Sequence, residues 1–182
     1  MTSELVPSAA VAVDGQSGAS FAATDPEIAP WRAFLHAHAR LTRRLDEELQ
    51  ASHGLSLAEY DALVQLANSP RRRMRMSTLA DRVLLSRSGI TRLVDRLVAD
   101  GMVERSACPT DARGAEAAIT PAGLDRLRTA SMTHLDGVHR LFLDVIPQTE
   151  LAAIERGLTR VTDGLGCRGA QASAACATGA EP

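Results

Sequence analysis

Residues 77–101 read STLADRVLLSRSGITRLVDRLVADG. Their apolar spacing predicts two short helices with a tight bend between them. In the second, Ile90, Leu93, Val94, Leu97 and Val98 fall at i, i+3, i+4, i+7 and i+8, one face of a 3.6-residue helix that has to be buried. Ser88, Thr91, Arg92 and Asp95 lie roughly opposite, with Arg87 in the first turn and Arg96 on the flank. Ser86 is placed to accept from the orphan N–H groups as N-cap. Leu79, Ala80 and Val83 supply the first helix, and Ala80 is small enough to let the second cross closely.

Two helices so joined form a helix-turn-helix, a motif whose second helix enters the DNA major groove. A polar face with two arginines is equally compatible with a solvated surface, so the segment that follows decides between the readings. After Gly101 comes MVERSACPTDARGAEAAIT: a short run, a turn-rich loop with Pro109, Asp111 and Gly114, and a second run ending at Ile119. Strand, loop and strand directly behind a recognition helix make the wing of a winged helix, with Arg113 at its tip.

A chain of 182 residues suits one domain with tails. Aromatic residues are only 3% of it, which places core packing on Leu, Val, Ile and Ala. No window approaches the roughly 18 uninterrupted apolar residues of a membrane span. No charged region followed by an apolar run opens the chain, so a cytoplasmic location is expected. The net charge of −2 hides an asymmetry. Residues 71–113 hold ten arginines against five acids, a balance of +5, while the remainder holds ten against seventeen, or −7. Positive charge thus collects where the recognition helix and wing are expected. Lysine is absent throughout, so the choice of arginine reflects coding bias and is not evidence of recognition.

Cys108, Cys167 and Cys176 are too few and too badly placed for a disulfide framework, and Cys108 reads as an ordinary loop thiol, with a redox role beside nearby Arg105 as the lesser alternative. No catalytic constellation or phosphate loop is present, which argues against an enzyme and against a bound cofactor. His36 and His38 point to different helix faces and His134 and His139 are five apart, which is poor spacing for a metal.

Residues 1–25, without period and broken by Pro7, Gly15 and Gly18, read as a disordered arm, and residues 166–182 as a disordered tail. Order begins near Pro30. From Trp31, residues Phe34, Leu35, His38, Leu41, Leu45 and Leu49 mark the stripe of a long helix that stops before Gly54. Ser56 and Glu59 make a capping box for the next helix, which Pro70 ends. The connection RRRMRM reads as a basic loop, solvated or touching phosphate. Thr120 followed by Pro121 is a helix start, and the helix is expected to run towards Ile146. A last helix carries Leu151, Ile154, Leu158, Val161 and Leu165 at spacings of 3, 4, 3 and 4, a seam for another helix.

In this order of parts the chain resembles the MarR family of bacterial transcription regulators over residues 30–165. The resemblance is carried by LADRVLLSRSGITRLVDRLVADGMVER, by Asp111 and Arg113 as D-x-R, and by Ile119, Thr120 and Gly123. It implies a mainly α fold, a winged helix-turn-helix over 56–119 with a two-stranded wing, and a helical dimerisation lobe from 30–55 and 120–165. It further implies a homodimer on a pseudo-palindromic site in double-stranded DNA, acting as a ligand-responsive repressor. Arg87, Ser88, Thr91 and Arg92 match the groove-facing positions, Arg113 the wing-tip arginine of the minor groove, and Asp111 the acid that holds it. The chemistry agrees, since arginine pairs bidentately with guanine and a narrow minor groove attracts a guanidinium. Gly114, Ala115 and Glu116 depart from the further basic residues many members carry there. AEAAI has poor strand propensity, and only the resemblance makes it a strand.

In the family, small phenolic or anionic effectors often bind where the dimer lobe meets the winged helix. Trp31, His38 and Tyr60, large side chains with a polar atom on early helices, are the candidates, with core packing as the competing role of each. The rival function is a winged helix that binds proteins or shapes DNA without an effector. A protein-binding version would show an apolar recognition face, and here that face is Arg, Ser, Thr and Arg.

Overall fold

The structure, a computed structural model, describes residues 26–108 and 111–177, and for 107, 108, 111–114 and 166–177 the backbone alone. The arm of residues 1–25 lies outside the described residues. Two compact units divide the chain, Met1–Ala37 and His38–Pro182. In the first, a 3-10 turn over Pro26–Ile28 leads into helix α1, Ala29–His53. The Trp31 and Phe34 rings stack there with centroids 5.8 Å apart.

In the second unit α1 ends at Gly54, whose φ of +63° suits a residue without a side chain. Helix α2, Leu57–Ala67, starts with both halves of the capping box: Ser56 Oγ accepts from Glu59 N, and Glu59 Oε2 accepts from Ser56 N at 2.9 Å. Leu57 N donates to Asp46 Oδ1 at 2.7 Å, fixing the start of α2 to α1. Strand β1, Arg73–Arg75, leads into helix α3, Met76–Arg82, and then α4, Arg87–Ala99. Leu49, Leu55, Leu63, Leu66, Leu79, Ile90 and Leu97 are all at most 1% exposed and form one core. Each contributes about 1.5–3 kcal/mol by leaving water.

Strands β2, Val103–Cys108, and β3, Asp111–Ile119, form the wing, and β1 adds a third strand in the order β1-β3-β2. The wing is therefore part of a three-stranded antiparallel sheet, where the sequence suggested two strands and a basic loop. Three residues, two of them arginines, give too short a pattern to register as a strand. Met74 nevertheless points inward between two exposed arginines. Double pairing explains why β3 is extended despite its alanines: it is the central strand, with partners on both sides. Ala117, fully buried, lets the sheet approach the core closely.

Helix α5, Pro121–Val138, begins as expected, with Thr120 Oγ1 accepting from Gly123 N at 3.0 Å. It does not run uniformly to Ile146: a π turn occupies His139–Leu143. At this point α5 presses on α1, since a Cβ on Gly137 would lie 2.7 Å from Leu45 Cδ2. Arg140 Nη2 donates to both Glu48 oxygens at 2.9 Å. Helix α6, Gln148–Ala177, extends beyond Leu165, where the seam ends, into residues composed as a tail. Ala170, Ala172, Ala174, Ala175 and Ala177 give that segment the strongest helix former.

Candidate nucleic-acid interface

Helix α4 is held from three sides. Ile90, Leu93, Val94 and Leu97, all 2% exposed or less, seat its apolar face in the core. Ser86 Oγ accepts from Gly89 N at 3.1 Å and closes its first turn. At its far end Met102 N donates to Leu97 O at 2.8 Å and Gly101 N to Val98 O at 3.0 Å, a Schellman motif with Gly101 at φ +70°.

The flanks carry two ion pairs. Arg96 Nε donates to Glu59 Oε1 at 2.7 Å, tying α4 to the start of α2, and Arg105 of β2 pairs with Asp95, tying the wing to the same helix. Glu59 is 7% exposed. Burial works to raise its pKa, but the Ser56 N–H and the Arg96 guanidinium outweigh that and hold the carboxyl below its ordinary range. Sequence reasoning found Glu59 as a cap and missed its second partner, because nothing local marks a residue 37 positions away. Asp95, read as part of the outer polar face, is engaged by the wing strand.

What remains outward on α4 is Arg87, Ser88 and Arg92, all exposed, with Thr91 half-buried. Thr91 Oγ1 donates to Arg87 O at 2.9 Å, and Ser88 Oγ lies 3.2 Å from Ser86 Oγ. Among the described residues Arg87 and Arg92 enter no ion pair, whereas Arg73, Arg96 and Arg105 are matched to Glu116, Glu59 and Asp95. The structure thus brings all four expected groove residues onto the first two turns of one exposed helix face. Asp111 and Arg113 fall on β3, beside the wing tip; their side chains lie outside the described residues. Arg73 stands opposite Ala118, seven residues along β3 from Asp111, and about 23 Å away at 3.3 Å per residue.

The effector candidates part company. Tyr60, 8% exposed, packs at a tilt against His134 with centroids 4.5 Å apart and donates to Ser131 Oγ at 3.3 Å, a satisfied core tyrosine. Desolvation lowers the His134 pKa, against a smaller opposing pull from Asp61. His38, by contrast, is exposed and lines an open cleft of about 520 Å³ with Thr42, Arg43, Asp46, Asp61 and Val83. Trp31, 58% exposed, stacks on Phe34 within its own unit. Among the described residues no helix is long and apolar enough to cross a membrane, and no group of three His, Cys, Asp or Glu is arranged to hold a metal.

A buried-backed helix presenting Arg, Ser, Thr and Arg, followed by a paired wing, defines a winged helix-turn-helix of the DNA-binding type. The profile of the MarR family matches residues 53–114. A MarR family transcriptional regulator from Streptomyces coelicolor, solved in complex with DNA, is 35% identical. The match covers 75% of this chain and 85% of that one, with a TM-score of 0.71. AbsC, a second MarR family regulator from S. coelicolor, is 33% identical over 78% of this chain and 95% of its own, with a TM-score of 0.72. A mutant MarR from E. coli, complexed with operator DNA, is 25% identical over 74% and 95%, with a TM-score of 0.64. No curated protein matches the sequence. The chain belongs to the MarR family of transcription regulators, which are not enzymes.

Proposed function

We propose that this protein is a ligand-responsive repressor that binds a pseudo-palindromic operator as a homodimer. The observation that carries the reading is the outer face of α4: Arg87, Ser88, Thr91 and Arg92 lie opposite the buried Ile90, Leu93, Val94 and Leu97, and among the described residues the two arginines have no carboxylate to neutralise them. Arginine in that position reads guanine O6 and N7, and the two hydroxyl residues reach phosphates or bases. Arg113 enters the minor groove beside them, with Asp111 holding it.

Support for the dimer comes from apolar surface left exposed among the described residues. On α6 Leu158, Val161 and Leu165 are 41%, 58% and 67% exposed, and on α5 Met132 and Leu135 are 75% and 55%. A second copy laid along these helices buries them and sets two recognition helices a helical turn of DNA apart. Repression follows from occlusion of the promoter by the bound dimer. The effector is a small phenolic or anionic molecule in the cleft that His38 and Arg43 line. Val83, on the same cleft, caps α3 at the turn into α4, so an occupant there reaches the bend that positions the recognition helix.

The test uses the full chain and duplexes selected from a random pool. Affinity is expected to fall steeply with salt, with a log–log slope near 0.9 per phosphate neutralised. Arg92→Ala is expected to lose about 1–3 kcal/mol and one base preference. A flat salt response, no selected sequence, or sedimentation as a lone subunit at micromolar concentration would overturn the reading. The rival module without an effector gains if DNA binding survives every phenolic and anionic compound tried.

A further inference from the structure

The helix-turn-helix bend contains a side chain that the fold does not use. Helix α3 ends in the same Schellman motif as α4: Leu85 N donates to Ala80 O at 2.9 Å and Leu84 N lies 3.4 Å from Asp81 O. The motif needs a left-handed residue at its centre, and glycine is usual there because a Cβ strains that conformation. At the end of α4 the residue is Gly101, φ +70°, and the left-handed residue after α1 is Gly54, φ +63°. At the end of α3 it is Leu84, φ +57°. The left-handed backbone costs a leucine on the order of a kcal/mol. None of that is recovered by packing, for Leu84 is 90% exposed, the most exposed large apolar residue described.

A leucine that is strained and unburied within its own chain is placed for something outside it. Its position narrows what that is. Leu84 lies two residues before the N-cap Ser86 and three before Arg87, so at 3.8 Å per residue its Cα is within about 11 Å of the Cα of Arg87. Exposed Arg82 and Arg87 flank it on either side. An apolar tip between two exposed cations, in the bend just ahead of the helix that enters the groove, fits a polyanion carrying apolar spots. In the major groove those are the C5-methyl groups of thymine.

We infer that Leu84 is a specificity-determining residue that packs on a thymine methyl at the edge of each half-site. This rests on the DNA-binding reading above. The experiment takes the selected operator and replaces each thymine singly by deoxyuridine, which removes only the methyl, and titrates it with full-length wild type, Leu84→Gly and Leu84→Asn. Both variants tolerate the left-handed backbone, so both are expected to fold, with Leu84→Gly at least as resistant to urea as wild type.

Wild type is expected to lose roughly three- to fivefold in affinity at one thymine per half-site, the worth of one buried methyl. The variants are expected to be insensitive at that position and weaker on the unmodified operator by at least that factor. Identical deoxyuridine profiles for wild type and variants, or a wild type indifferent to every replacement, would overturn the inference while leaving operator binding intact. A wild type that selects no sequence at all would instead remove the DNA-binding reading, and this inference with it.

Discussion

Replacing Gly123 by alanine sets two effects of opposite sign against each other at the joint between the winged helix and α5. Helix propensity favours alanine over glycine by at most about 1 kcal/mol, and less in a first turn. Against this, an alanine Cβ would lie 2.2 Å from Met102 O and 2.8 Å from Ile119 Cγ1. Contacts of Cβ below 3.0 Å essentially do not occur, so roughly 0.8 Å of movement is required, and the nearest atom is backbone, which cannot rotate away. That oxygen accepts from Thr120 N at 3.0 Å, while Thr120 Oγ1 donates to Gly101 O at 2.8 Å. Opening the joint by that amount strains both bonds where α4, β2 and α5 meet. Overpacking of this kind costs about 1–3 kcal/mol, and a weakened hydrogen bond adds about 1 more. Destabilisation therefore wins, by about 2 kcal/mol net. Urea unfolding of wild type and Gly123→Ala at one protein concentration measures it, because mass action in a dimer would otherwise enter the comparison. An unchanged or raised midpoint would show that the joint yields freely and that the reasoning is wrong.

Three further outcomes are expected. Gly101→Ala meets no atom within 4 Å, so its cost is purely conformational, about 1–2 kcal/mol in the same urea assay. Glu59→Gln keeps the size of the side chain and removes its charge; because the folded pKa lies below the ordinary 4.5, the carboxylate contributes stability that is complete above that pH and is lost as pH falls through the folded value. Wild type is thus expected to exceed the variant at pH 7 and to converge with it in acid, and a gap independent of pH would contradict the pairing with Ser56 and Arg96. His134 has a folded pKa below 6.5, so the native state binds fewer protons there than the unfolded chain, and stability is complete above pH 6.5 and declines as pH falls below it. His134→Phe keeps a ring against Tyr60 and is expected to flatten that decline in thermal melts between pH 7 and 5; equal slopes would show that burial of His134 does not control it.

Periodicity and capping chemistry by themselves determined most of the architecture. The stripe from Ile90 to Val98 is at most 2% exposed at Ile90, Leu93, Val94 and Leu97, while Val98, expected inside, sits at the edge of the face and is 39% exposed; the Ser56–Glu59 box forms both of its bonds, and Thr120 with Pro121 starts α5. Such signals are legible because each is written within one or two helical turns and depends on geometry common to all helices. The outward placement of Arg87, Ser88 and Arg92 follows from the same stripe, since burying one face of a helix exposes the other. Tertiary structure alone decided which charges are spoken for, and Asp95 and Arg96, members of one polar surface in the sequence, turn out to be bound by Arg105 and Glu59. It also made a strand of Arg73–Arg75 and kept alanine-rich β3 extended, because strand pairing draws on residues about forty positions apart. It separated His38 from Tyr60, which stand alike on early helices in the sequence but face a solvent cleft and the core. Partner choice across long sequence separations is set by how helices and sheet stack around one core, and no local pattern encodes that.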